Sequence, residues 1–240
     1  MVEWGQLSID WWDAHVDNVE RAGSLVVSMQ RDSNELRRFA RLTDNHQLLQ
    51  QSEVAELEPD LGEQFSSALW YRDEAHLNPR LSLQQLLHYV EDNNGQVCFG
   101  QKKIPADCQA DMVVDCRGFA AQPELSELRG VKGEMLILQT TEVSLSRPVR
   151  LLHPRFPLYI VPRQNHQFMV GATMVESEQR HRISARSLVE LLNAAYALHP
   201  AFAEAEVVET GVDVRPAYPD NLPALKRRDN VLLSAGKLSG

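Results

Sequence analysis

The chain has 240 residues, 43% of them hydrophobic, which is enough to bury a core as one large domain or two modest ones and excludes a disordered protein. Its 24 basic against 33 acidic side chains give a net charge of −9, and no run of Lys or Arg could track phosphates, which argues against nucleic acid and anionic membrane as partners. No apolar run approaches the roughly 20 residues that span a bilayer, and the opening Met1-Val2-Glu3-Trp4 lacks the basic start and apolar core of a secretory signal, so a cytoplasmic location is expected.

Taken in chain order, residues 3 to 20 place Trp4, Leu7, Trp11 and Val16 at near-helical spacing and predict a helix. Gly23 to Met29 is β-branched and apolar and predicts a strand; cap residues in Arg31 to Glu35 then precede a helix carrying Leu36, Phe39, Leu42, Leu48 and Leu49. A short helix is expected over Gln51 to Leu57 with Ser52 as its cap, closed by Pro59-Asp60-Leu61-Gly62. Ala68 to Tyr71 reads as a strand. Asn78-Pro79 opens a helix that ends at Asn93-Asn94-Gly95, and Gln96 to Phe99 follows as a strand.

Asp111 to Cys116, ending in Arg117-Gly118, has the pattern of a buried parallel strand that meets a turn. Beyond it, 133–138, 157–162 and 167–173 read as neighbouring strands, with 163–166 as a hairpin loop, and together predict an antiparallel sheet. A helix over Ser184 to Leu198 stops at His199-Pro200; a strand over Val207 to Arg215 is broken by Pro216; and Asn230 to Gly236 is a further buried strand. Cys98, Cys108 and Cys116 are odd in number, form no CxxC pair and lie near no histidine cluster, so they are expected as reduced, mostly buried thiols with neither disulfide nor metal.

Several segments, in order, resemble the D-amino-acid oxidase and glycine oxidase family of flavoproteins. They are Gly23-Ser24-Leu25-Val26-Val27, Asp73 to Pro79, Val113 to Gly118, Leu128 to Glu134, Tyr159-Ile160-Val161-Pro162-Arg163, Val170-Gly171-Ala172-Thr173-Met174, and Val214 to Pro223. The glycine oxidases that serve thiamine biosynthesis are the most similar subgroup. The resemblance implies a mixed α/β and α+β fold in which a partial Rossmann-like FAD-binding domain (1–20, 76–126 and 216–240) is interleaved with an antiparallel-sheet substrate domain (21–75 and 127–215).

The resemblance further implies FAD as cofactor and oxidation of glycine, or a similarly small amino acid or amine, to an imine. The imine hydrolyses to glyoxylate and ammonia, oxygen yields hydrogen peroxide, and the product supplies thiazole synthesis. A homo-oligomer is compatible with it. Arg215 matches the arginine that binds the substrate carboxylate, Tyr159 the tyrosine facing the substrate, and Met174 an apolar wall of the pocket. Val97, Cys116, Arg117, Gly118 and Gly236 match positions near the cofactor. No acid, base or nucleophile is implied, since a flavin carries the chemistry and the protein supplies position and charge; His153 and His199 receive no catalytic role. A guanidinium fork suits Arg215 to a carboxylate, because it binds bidentately and keeps its charge.

Taken without the resemblance, Arg215 reads as an exposed or salt-bridged residue, Tyr159 as a half-buried sheet residue, Met174 and Val97 as core, and Gly118 as a turn glycine. The sequence also departs from the family. It contains no GxGxxG; Pro157 stands where a relative carries a polar residue; and Ser239 stands near a second expected arginine. A piece of a longer enzyme, truncated at both ends and inactive by itself, is the expectation. The alternatives are a cofactor-free binding module and a relative acting on sarcosine or D-amino acids.

Overall fold

The computed structural model describes residues 2–153 and 158–236. Pro157 and Ser239, two of the departures noted above, lie outside the described residues. Contacts divide the chain into two units: 1–97, 135–172 and 185–210 form the first, and 98–134, 173–184 and 211–240 the second. Residues 1–20 and 76–97 group with the large sheet of unit one. Polar contacts bind these segments together there: Asp17 N donates to Gln85, Asn18 Nδ2 to the carbonyl of Asn78, and Ser82 Oγ to Asn18.

Unit one is built on a mixed sheet. Its strands run in the order Gln47–Gln50, Ser67–Tyr71, Ser24–Ser28, Val149–Leu152, Leu158–Arg163, Gln167–Gly171, then the 135–139 half of Arg129–Gln139. All neighbours are antiparallel except Ser24–Ser28 with Val149–Leu152, so the expected antiparallel sheet contains one parallel pair. The hairpin loop predicted at 163–166 joins Leu158–Arg163 to Gln167–Gly171, with Asn165 and His166 at positive φ.

Directly paired residues share a sheet face. Val26 pairs with Arg150, and Arg150 with Tyr159, so these three side chains belong to one face. The helix Ser33–Leu42 covers part of that face, packing Leu36, Phe39 and Ala40 on Val26, Leu69 and Tyr71. The other face, carrying Leu25, Val149, Ile160, Phe168 and Val170, is buried, and Phe168 meets Phe202 edge-on at 5.2 Å.

The remaining helices of this unit are Val2–Asp13, Gln51–Leu57, Pro79–Asp92 and Ala185–Leu198. The first is shorter than predicted, because Val19–Glu20 is recruited into a two-residue ladder with His76–Leu77. Leu48 and Leu49, predicted as helix, sit in an edge strand, since pairing with Ser67–Tyr71 outweighs their helical propensity. Gln51–Leu57 is capped by Gln50, whose amide donates to Glu53, rather than by Ser52. Asn78 caps Pro79–Asp92 as predicted, accepting from the amides of Arg80 and Leu81.

Unit two holds a hairpin, Ala224–Arg228 with Val231–Ala235, whose second strand runs parallel to Val113–Asp115. Ala121, Leu125, Leu128, Tyr218 and Leu233 form its core cluster. The parallel pairing of Val113–Asp115 agrees with its sequence pattern, but the strand lies at the sheet edge and Val114 is 55% exposed, so the expected burial on both faces is corrected. Gln96 to Phe99 forms no strand: an apolar run becomes one only by hydrogen-bonding to a neighbour, and none pairs with it among the described residues. Pro216 does not break its strand, which continues as Glu206–Ala217; a proline is tolerated where its missing N–H faces away from the partner. The three cysteines are free, and Cys98 and Cys116 are exposed rather than buried.

Candidate functional site

Arg215 in unit two has a half-buried side chain. Its Nη1 donates to the carbonyl of Thr173 at 3.4 Å, and no carboxylate lies within ion-pair distance of it among the described residues. The guanidinium lies against the α-carbon of Gly133: a methyl group placed there would collide with its Nη1 and Cζ.

A buried network fixes this arrangement. Thr173 Oγ1 donates to Glu134 Oε2 at 2.9 Å and accepts from the Glu134 amide at 3.0 Å, while the Thr173 amide donates to the Glu134 carbonyl at 3.1 Å. Glu134 is almost completely buried and is balanced by Lys132 at 2.8 Å and by the amide of Ser184 at 3.0 Å. Burying a carboxylate this way is tolerable only with such partners. This chain of contacts from Lys132 through Glu134 to Thr173 anchors the carbonyl that accepts from Arg215, the one hydrogen bond its guanidinium makes among the described residues. Met174 follows Thr173 with its side chain 55% exposed.

Tyr159 in unit one is 36% exposed, while Leu158 and Ile160 beside it are buried. The alternation follows from the strand's period of two. It lines a cavity of about 530 Å³ with Val26, Phe39, Tyr71 and Arg150. The Tyr71 hydroxyl and Thr43 Oγ1 are 2.6 Å apart, and burial pushes the Tyr71 phenol above its ordinary pKa.

Of the residues matched to cofactor positions, Cys116, Arg117 and Gly118 follow Val113–Asp115, and Gly236 follows the parallel Val231–Ala235. These four therefore leave the small sheet at the same edge, the carboxyl edge where α/β sheets bind ligands. Gly118 has φ +61 with open space on its α-carbon, so backbone there could approach a flat or phosphorylated group. Gly236 has φ +118, and a methyl group on it would meet Pro223 Cα at 2.5 Å; its own chain already demands a glycine. Arg117 is engaged by Asp115 at 2.8 Å and Glu124 at 3.2 Å, which raises its pKa and leaves its charge compensated within the chain. Val97 is grouped with unit one. The turn after Val113–Asp115 fits the edge of an FAD site, whereas the glycine-rich phosphate turn is not in the sequence. Among the described residues no cluster of His, Cys, Asp and Glu could hold a metal, and no helix is long and apolar enough to cross a membrane.

Sequence reasoning singled out Arg215 and Tyr159 but missed Gly133, Glu134 and Thr173 as the supports of Arg215, and Arg150 beside Tyr159. The first three stand in segments that carry the family resemblance, so a signal existed. Arg150 does not.

Comparison with known proteins agrees with this architecture. The family model described as "DAO: FAD dependent oxidoreductase" matches residues 1–239. A putative thiamine biosynthesis oxidoreductase ThiO of Rhizobium etli is 54% identical over 229 residues, covering 95% of this chain and 70% of the relative. A glycine oxidase of Bacillus licheniformis is 25% identical over 218 residues, covering 80% of this chain and 58% of the relative. The crystal structure of a glycine oxidase from Geobacillus kaustophilus superposes with a TM-score of 0.77 at 20% identity, over 97% of this chain and 70% of that one, which shows the shared fold. By the family match and the identity to the Rhizobium relative, the chain belongs to the DAO family of FAD-dependent oxidoreductases.

Proposed function

We propose that this chain is the larger part of an FAD-dependent oxidase of glycine, or of a similarly small amino acid or amine, serving thiazole formation in thiamine biosynthesis. The observation that carries the reading is Arg215, a half-buried guanidinium held by Gly133 and Thr173 with no carboxylate partner among the described residues. A cation in that state is stabilised when a ligand carboxylate completes it with two parallel hydrogen bonds. The names of its relatives, a thiamine biosynthesis oxidoreductase and a glycine oxidase, favour the same substrate.

In this reading Arg215 holds the carboxylate, Tyr159 offers its hydroxyl to the substrate, and Met174 supplies an apolar wall. The backbone from Cys116 to Gly118, with Gly236, borders the cofactor. Bound FAD supplies hydride-accepting chemistry, with dioxygen as final acceptor and hydrogen peroxide as a measurable product. The 240-residue chain alone is expected to hold FAD weakly and to be inactive, because its sequence has no GxGxxG. A cytoplasmic location fits the reading, and assembly into a homo-oligomer is compatible with it.

The test is peroxide release by the full-length flavoprotein from glycine, sarcosine and small D-amino acids, in wild type and in Arg215→Lys. Glycine-dependent peroxide, with kcat/KM reduced roughly a hundredfold in the lysine variant, is expected. A yellow flavoprotein that releases no peroxide from any of these amines overturns the reading.

A further inference from the structure

The Tyr159 cavity is lined by an arginine, Arg150, that neither the family resemblance nor the proposed function uses. Arg150 sits directly opposite Tyr159 across the Val149–Leu152 and Leu158–Arg163 ladder. Side chains so paired have Cβ atoms about 5 Å apart and act on the same space. The Arg150 guanidinium is stacked over the Phe39 ring, 5.3 Å from its centroid, and is half-buried. Among the described residues none accepts a hydrogen bond from it and no carboxylate lies within ion-pair distance. Arg147, three positions away, shows what a structural arginine does here: it satisfies Glu58 and the carbonyls of Ala22 and Leu57. Arg150 spends none of its donors this way.

The rest of the lining sharpens the chemistry. Asp44, Asp73 and Glu74 line the same cavity and are exposed, and the Glu74 carboxylate is engaged by the Ser24 hydroxyl. Exposed acids are screened by solvent and salt, whereas a half-buried guanidinium over an aromatic ring is screened less. An acidic rim with a basic floor suits a ligand that is cationic at one group and anionic at another. The cavity, about 530 Å³, is also far larger than an amino acid without a side chain requires.

We propose that Arg150 is a carboxylate-binding, specificity-determining residue of the Tyr159 cavity, which admits small amines bearing an acidic substituent. The inference rests on reading Tyr159 as a substrate residue. The Phe39 ring covers one face of the guanidinium and leaves its edge open to bind a carboxylate as a fork.

The full-length flavoprotein is assayed with glycine and with N-(carboxymethyl)glycine, in wild type, Arg150→Gln and Arg150→Lys. Arg150→Gln keeps a stem to lie on Phe39 while removing the charge. It is expected to raise KM for N-(carboxymethyl)glycine roughly tenfold more than KM for glycine, with Arg150→Lys in between. Equal shifts for both amines, or none for either, overturn the proposal. Titration calorimetry with N-(carboxymethyl)glycine decides the matter independently of turnover. Heat that is present in wild type and lost in Arg150→Gln supports the carboxylate site even if no amine is oxidised, and indistinguishable heats reject it even if glycine is a good substrate.

Discussion

The guanidinium of Arg215 occupies the space in which any side chain at position 133 would begin, with Nη2 at 2.6 Å from the place of a Cβ. Gly133 is therefore a glycine for its neighbour's sake, since its own φ is not in the left-handed region. The atoms it would strike form the far end of a flexible side chain, so the chain can fold around a methyl group by moving Arg215.

Gly133→Ala is accordingly expected to unfold within a few tenths to about 1 kcal/mol of wild type, while KM for the carboxylate substrate of the flavoprotein rises roughly tenfold or more. Thermal unfolding alongside steady-state peroxide kinetics checks it. A large loss of stability with an unchanged KM would mean that Arg215 does not bind the substrate.

In unit one, Glu58 is 1% exposed and accepts from Arg147 Nε at 2.7 Å and from the Ser146 amide at 3.0 Å. Burial pushes its carboxyl above the ordinary range, and the Arg147 and Ser146 hydrogen bonds oppose the shift. Removing the guanidinium leaves a buried carboxylate with less compensation, so Arg147→Met is expected to cost about 3–5 kcal/mol at neutral pH. The sign with pH follows: a carboxyl whose folded pKa is raised loses its contribution to stability as pH rises through that pKa. The variant should thus be less impaired near pH 4 than near pH 7. Urea unfolding at both values is the measurement, and Glu58→Leu placed on Arg147→Met should recover much of the loss.

The parts of this architecture that were legible from sequence are those where local pattern and packing agree. The strands around Val26, Leu69 and Val170, and the Asn78-capped helix, fall at the predicted positions because their apolar spacing matches one buried face. Leu48-Leu49 and Val19-Glu20 did not, because pairing with Ser67–Tyr71 and His76–Leu77 is a long-range choice that helical spacing does not register. Gln96 to Phe99 failed for the opposite reason: β-propensity without a partner makes no ladder. Of the candidate site, Arg215 and Tyr159 were readable only through resemblance, since a lone arginine before proline or a tyrosine in a strand has many ordinary uses. Arg117 shows the limit, being tied to Asp115 two residues before it, a contact that no motif announced.

His76 pairs its strand with Val19–Glu20 and keeps only 9% of its side chain exposed. Burial lowers its pKa below the ordinary 6.5; Arg163 acts in the same direction, and Glu20, with Oε2 at 3.4 Å, opposes both. A histidine with a depressed folded pKa favours the fold above its unfolded pKa and withdraws that contribution as pH falls. Stability should therefore decline as pH falls below the ordinary imidazole value of 6.5. His76→Asn should flatten that part of the profile. Denaturant unfolding across the range decides it, and an identical slope in the variant would assign the acid sensitivity to another group.

Gly118 and Gly236 follow neighbouring parallel strands and both have positive φ, yet they should respond to alanine in different ways. At Gly236 the added methyl would strike backbone, Pro223 Cα at 2.5 Å and the Leu222 carbonyl at 2.9 Å, so strain and collision combine. At Gly118 nothing lies within 4 Å, and only the left-handed backbone penalises a side chain, by roughly 1 kcal/mol. Gly236→Ala should thus lower the unfolding temperature clearly more than Gly118→Ala. If the open side of the Gly118 turn faces the cofactor, Gly118→Ala should instead weaken FAD, measured by quenching of flavin fluorescence on titration with full-length protein. Unchanged FAD affinity in a folded Gly118→Ala variant would remove this turn from the cofactor site, since a methyl group in the one open direction could not have gone unnoticed by a bound ring or phosphate.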